Sequence, residues 1–184
     1  MVNDEKMKKY RETIKYIAYR SIDDRNFGRT KLNKILFYCD FLAYRNLGKS
    51  ITDDGYIKQT HGPVPTHVKK MANSLIDDRE IKEINTPTGN YIQKRLVTLT
   101  ECNLDVFTPQ EISLIDSVIE VLWDETAKAV SELSHQFIGW QMMEIGENIP
   151  YEAVLIRESE VTDDDLAYGA ELAKELDEWP VISP

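Results

Sequence analysis

Cysteine is nearly absent from this chain, and with it the chemistry that cysteine supplies. Cys39 and Cys102 are the only two, and neither belongs to a C-x-x-C pair, so the sequence offers neither a disulfide framework nor a thiolate zinc site. Histidine is scarce too. His61, His67 and His135 fall in no H-E-x-x-H or comparable spacing, which leaves metal ligation without a local motif. The G-x-S-x-G elbow, the P-loop and G-x-G-x-x-G are missing, so hydrolase, nucleoside-triphosphatase and dinucleotide-binding readings lack their mechanical parts. No apolar run approaches the ~20 residues that span a bilayer. The opening MVNDEKMKKYRE lacks the apolar segment of a signal peptide, so no membrane partner and a cytoplasmic location are expected.

Basic residues are the last scarcity, and they are missing from one part only. Residues 1–100 hold 19 Lys and Arg against 12 Asp and Glu, a net of +7, whereas residues 101–184 hold 3 against 20, a net of −17. The overall charge of −10 therefore hides a two-faced chain, able to steer partners of opposite charge to different surfaces.

What is present reads as one globular domain over 1–184, with 42% apolar and 29% charged residues. The expected fold is α+β and predominantly helical, with about five to six helices and a small antiparallel β-hairpin. Residues 29–65 organise it. Leu32, Ile35, Leu36, Cys39, Leu42 and Ala43 recur at steps of three and four, the apolar face of a long helix over 30–47. Thr30 is its expected N-cap and Gly48 its left-handed C-cap. Before it, Met7, Tyr10, Ile14, Ile17 and Ala18 predict a first helix over 4–21. After it, Asp53, Asp54 and Gly55 predict a turn with glycine at positive φ, Tyr56 to Gln59 a short strand, and Gly62 to Pro65 a stiff connection. Pro65 is the expected first residue of a third helix over 65–76, with Val68, Met71, Ala72 and Leu75 inward.

Further on, Glu80–Ile84 and Tyr91–Leu99 read as a hairpin turning at 86–90. Thr108, Pro109 and Glu111 spell a capping box ahead of a core stripe of Ile112, Ile115, Val118, Ile119 and Leu122. A short helix over 126–133 places Ala127, Val130 and Leu133 inward, and residues 135–156 read as irregular, anchored by Trp140 and Tyr151. A last helix over 162–178 starts after Thr162, with three aspartates favouring its N-terminus.

Candidates for chemistry are few. Cys39 on an apolar stripe reads as core, and the doublets Asp23–Asp24, Asp53–Asp54 and Asp77–Asp78 read as caps and turn formers. His61, beside the Gly-Pro turn, is expected to hydrogen-bond it. The order of helices followed by a hairpin in the basic part allows a winged-helix DNA binder acting on its own operon. In that reading Thr66, His67, Lys69, Lys70 and Asn73 would enter the major groove.

The matches Lys31, Leu32, Lys34, Ile35, Leu36, Tyr38 and Asp40, then Gly48, Ile51, Thr52, Tyr56 and Gly62-Pro63-Val64-Pro65, resemble the Panacea (SocA-like, GepA-like) antitoxin domain. LSHQFIGWQMMEIGENIPYEAVL is similar to that family's C-terminal part, so the resembling core reaches from 29 to 156. His61 stands where the family often has an aromatic residue. The resemblance implies a non-catalytic, prophage-associated antitoxin without a cofactor, which neutralises a toxin encoded by an adjacent gene. It also allows operator DNA as a partner, or a protease to which this protein, as an adaptor, delivers its toxin. Lys31, Leu32, Lys34, Tyr38, Asp40, Tyr56, His61, Gly62, Pro63 and Pro65 carry the motif, as structural or toxin-binding residues. Read from the residues themselves, Leu32, Ile35 and Leu36 pack, Asp40 bonds a buried turn or a lysine, and Gly62 to Pro65 fix a backbone. Toxin specificity is then expected on the acidic surface between Glu101 and Glu178.

Overall fold

A computed structural model describes residues 2–88, 91–156 and the single residue 167. The chain runs α1 (Val2–Arg20), α2 (Arg29–Leu47), β1 (Tyr56–Gln59), β2 (Gly62–Pro65), α3 (Val68–Asp77), β3 (Ile81–Thr88), β4 (Tyr91–Thr98), α4 (Pro109–Val121), α5 (Ala127–His135), α6 (Ile138–Met142) and β5 (Asn148–Ile149). Short 3₁₀ turns cover Leu104–Val106 and Tyr151–Leu155. The strands form a three-stranded antiparallel sheet in the order β2-β1-β5 and a separate β3–β4 hairpin. The fold is α+β, predominantly helical, as expected. The expected helix over 162–178 lies outside the described residues.

α2 is the axis because it is apolar on more than one face. Leu32, Ile35, Leu36, Cys39 and Ala43 enter the main core with Ile14, Ile17, Leu75, Ile115 and Ile119. A second face places Phe37 and Phe41 against Tyr56 and Ile149, with Phe137 and Tyr151 packed around them. Phe41 and Tyr56 meet edge to face with centroids 5.3 Å apart, a preferred aromatic geometry. The irregular stretch after α5 is thereby clamped to the body. Trp140 Nε1 donates to the Gln59 carbonyl at 3.2 Å and Tyr151 OH to the Asp54 carbonyl at 2.6 Å.

Several local expectations change. α2 starts at Arg29 with extended Gly28 as N-cap, so Thr30 lies inside the helix and caps nothing. Gly48 closes it at φ 74° as expected. In the next turn the left-handed residue is Asp53, at φ 58°, and not Gly55. Pro65 does not begin a helix: it pairs with Tyr56 across β1–β2, and α3 starts at Val68. Neither proline of β2 needs its missing amide there, since β2 is an edge strand. β3 and β4 reach Thr88 and Tyr91, so Thr86 to Thr88 belong to the ladder and not to the turn. Met7 and Leu133 are exposed, against expectation.

Ion pairing occupies part of the basic set. Among the described residues, nine of the 19 Lys and Arg in residues 1–100 are paired with carboxylates: Lys6, Lys9, Arg11, Lys15, Arg20, Arg25, Arg29, Lys31 and Lys94. Arg11 and Lys15 of α1 both hold Glu80, at 2.5 and 2.8 Å, and so fix α1 against the base of the hairpin.

The capping box of α4 forms as the sequence predicts. Glu111 N donates to Thr108 Oγ1, and Thr108 N donates to Glu111 Oε2 at 2.9 Å. Glu111 is buried and also takes Lys9 at 2.7 Å. Thr108→Ala should therefore cost about 1 kcal/mol, read as a lower urea midpoint at unchanged m-value, while Thr108→Ser should retain most of that.

Candidate functional site

Two buried carboxylates assemble the region around the family-like motif. Asp40, on the fully apolar side of α2, has no exposure. It accepts hydrogen bonds from Ile51 N and Thr52 N at 2.8 Å, from Tyr56 OH at 2.8 Å and from Thr52 Oγ1. Burial pushes its carboxyl up to about 6, against the pull of those four donors. The expectation that Asp40 bonds a buried turn is met.

Asp54 does the same for α3. It accepts Tyr10 OH at 2.8 Å, Thr66 Oγ1 at 2.6 Å and the His67 backbone amide at 2.9 Å, and it pairs with His67 Nδ1 at 2.6 Å. It is thus buried and joins α1, β1 and the start of α3, where the sequence suggested only a turn former. The available signal was alternation: Asp54 lies two residues before the buried Tyr56 and so shares its face.

Two lysines of the motif are also buried. Lys31 pairs with Asp24 and donates to the Glu125 carbonyl at 3.0 Å. Asp24 is therefore an ion-pair partner as well as a turn former, since its Oδ1 also takes the Asn26 amide at 2.9 Å. Lys34 has no carboxylate partner among the described residues; its Nζ donates to the Pro63 carbonyl at 2.9 Å, and burial lowers its pKa to about 7. Directly above it Gly62 adopts φ 96°, where a Cβ would overlap Ser134 Oγ and stand 2.7 Å from Lys34 Nζ. A serine beside an amine of lowered pKa is raw material for a nucleophile. Here both groups are buried, and the Ser134 hydroxyl donates to the Ser131 carbonyl at 2.7 Å, so the pair holds the Gly62-Pro63 turn in place.

The remaining motif residues divide by exposure. Leu32 and Tyr56 are core, and Gly62, Pro63 and Pro65 are buried in β2. His61 stands exposed, and no hydrogen bond ties it to the described residues. Lys69 and Lys70 are exposed on α3. That helix packs chiefly on α1 and β3, and the β1–β2 pair stands between it and α2 in the chain. Cys39 is core. Among the described residues no group of His, Cys, Asp or Glu could hold a metal ion, and no helix is long and apolar enough to cross a membrane.

Tyr38 is half-buried on the outer side of α2. It lines an open groove along α2 in two halves of about 660 and 690 Å³, the first mainly apolar and the second mixed in polarity. One half is closed by Pro109, Leu114, Val118 and Val121 of α4 with Leu133 of α5. The other is closed by Phe137 and Ile138 with Val154 and Ile156 beyond β5. Leu42 and Arg45 belong to both halves, and among the described residues Arg45 is the only charged side chain in either lining. Val121 is 74% exposed, and Leu47, Leu133 and Ile156 are also exposed. Sequence reasoning missed this groove because it assigned Leu133 to the interior.

The buried lysine sets a pH dependence. Lys34 titrates near 7 in the folded chain but near its ordinary 10.5 when unfolded. Between those values the unfolded chain binds the extra proton, so stability rises as pH increases above 7. Urea unfolding should show this rise in the lower part of that window, before the tyrosines titrate, and Lys34→Met should abolish it. Asp40→Ala, which strands four buried donors, should cost more than about 3 kcal/mol.

No curated protein and no solved structure matches the chain. The family model described as "Antitoxin SocA-like, Panacea domain" matches residues 32–141. That span starts within the core stripe of α2, takes in Asp40, Tyr56 and the Gly62–Pro65 strand, and ends in α6. The chain belongs to the SocA-like Panacea-domain antitoxin family.

Proposed function

We propose that this protein is an antitoxin that neutralises a toxin, encoded beside it, by direct binding over the face that carries the groove. The observation that carries the reading is the groove itself: an open apolar surface with Val121 three-quarters exposed, on a chain whose buried carboxylates and lysines are occupied in holding the fold. Exposed apolar surface of this kind marks interaction sites. Carboxylates adjoin it, with Glu120 next to Val121, Glu132 next to Leu133 and Glu152 near Val154, all exposed. An apolar centre with a charged rim is the anatomy of a protein interface, and an acidic rim suits a basic toxin. The protein's own role is non-catalytic and needs no cofactor.

Inducible expression of the neighbouring gene, with and without this protein, tests the reading. Growth rescue together with stoichiometric co-purification is the expected result, and a harmless neighbour or untouched toxicity would refute it. Rescue without a complex would point to delivery of the toxin to a protease. Val121→Asp should weaken the complex by tenfold or more, a loss of about 1.4 kcal/mol, with little change in stability because the side chain is exposed. Association should slow as salt rises, and a salt-insensitive rate would remove the role of the acidic rim.

A further inference from the structure

We infer that the apolar half of the groove receives one amphipathic α-helix of the toxin, laid antiparallel to α4 with its C-terminus at Arg45. This specifies the partner in the reading above and rests on that reading.

The floor of the groove dictates the shape of its occupant. Tyr38, Leu42 and Arg45 of α2 line this half at steps of four and three, and Leu114, Val118 and Val121 of α4 line it at the same steps. Two helical stripes therefore lie side by side, and the channel between them accepts side-chain ridges of the same 3.6-residue period. An extended segment would suit it poorly. Its amides and carbonyls would need partners, and the interior backbone groups of α2 and α4 are already bonded within their own helices. A helix arrives with its backbone satisfied. α4 has 13 residues, so it runs for about 20 Å, and a helix covering it needs roughly three to four turns.

Charge sets the direction of that helix. α2 and α4 are antiparallel: Lys31, in the first turn of α2, donates to the Glu125 carbonyl beyond the end of α4 at 3.0 Å. At the opposite end Lys49, just past α2, is near enough to Glu111 in the first turn of α4 for their charges to interact. One end of the groove therefore holds Arg45, Lys49 and the positive N-terminus of α4. The other holds the carbonyl end of α4 and Glu120, exposed beside Val121. A helix antiparallel to α4 puts its own positive N-terminus at Glu120 and its last carbonyls within reach of the Arg45 guanidinium, a donor suited to a helix C-terminus. The reverse orientation would bring like ends together. Lys and Arg beside the apolar stripe of this helix would meet Glu120 and Glu132, so the same occupant satisfies both the acidic rim and the one guanidinium inside it.

Photochemical cross-linking of the complex with the neighbouring gene's product tests the inference. p-Benzoylphenylalanine replaces Arg45 in one variant and Val121 in another, both exposed positions. Both cross-links should fall on one helix of the toxin, the one from Arg45 about two turns nearer its C-terminus. In titrations Arg45→Glu should raise the Kd about tenfold and Arg45→Lys far less, with the urea midpoint of the free protein unchanged. Cross-links on a strand, on two separate segments or in the reverse order would overturn the inference, and so would an unchanged Kd for Arg45→Glu. Each of those results leaves growth rescue and the complex standing, so the antitoxin reading would survive it. Absence of any complex would remove both.

Discussion

One buried carboxylate decides how the centre of this protein is put together. Asp40 leaves α2 in the middle of its apolar surface, where an unpaired charge would cost several kcal/mol, and it is tolerable because four donors converge on it. Two of those donors are backbone amides of the loop after α2 and one is the hydroxyl of Tyr56 in β1. The carboxylate therefore does for the loop and the strand what a ladder would do for a sheet: it specifies their position relative to a helix. The same logic repeats at Asp54, which collects α1 and the start of α3, and at Lys34, which holds the Pro63 carbonyl. Hydrophobic packing alone would leave these loops free to slide over α2. The polar contacts select one arrangement.

This internal wiring draws part of the basic character of the first hundred residues into the body of the fold. Lys31 and Lys34 are buried, and Arg11, Lys15 and Arg29 are turned towards Glu80 and Glu83. Part of the charge that looks in the sequence like a reservoir for nucleic acid is committed to fixing α1, α2 and the hairpin to one another. The β1–β2 pair and its proline-fixed turn come between α2 and α3 in the chain and give α3 its own anchor at Asp54.

The outer face of α2 is treated differently. There Tyr38, Leu42 and Arg45 are covered neither by a sheet nor by ion pairs but border an open groove between α4 and the segment after α5. A helix that is apolar around most of its circumference needs neighbours on all sides, and among the described residues this side has none that fills it. Family membership and the uncovered face lead to the same expectation, a partner segment laid along α2.

Periodicity was enough to find most elements: the steps of three and four in α2 and α4, the Thr108–Glu111 capping box and the glycine after Leu47 are local signals, and local hydrogen bonding enforces them. The resemblance of 29–156 to one antitoxin family was also legible, because its pieces sit at fixed separations in the chain. What failed were inferences from single residues whose partners are distant. Thr30 looked like a cap but a residue before it already starts the helix; Pro65 looked like a helix start but pairs with Tyr56; Leu133 looked like core but borders the groove. Asp54 was read as a turn former because its partners Tyr10, Thr66 and His67 lie 44, 12 and 13 residues away. By itself the sequence determined which segments are helix or strand and which family they compose, since those depend on neighbours within a turn or two. Only the tertiary structure decided which charges are buried and which apolar side chains stay open, because burial is set by what the rest of the chain leaves uncovered.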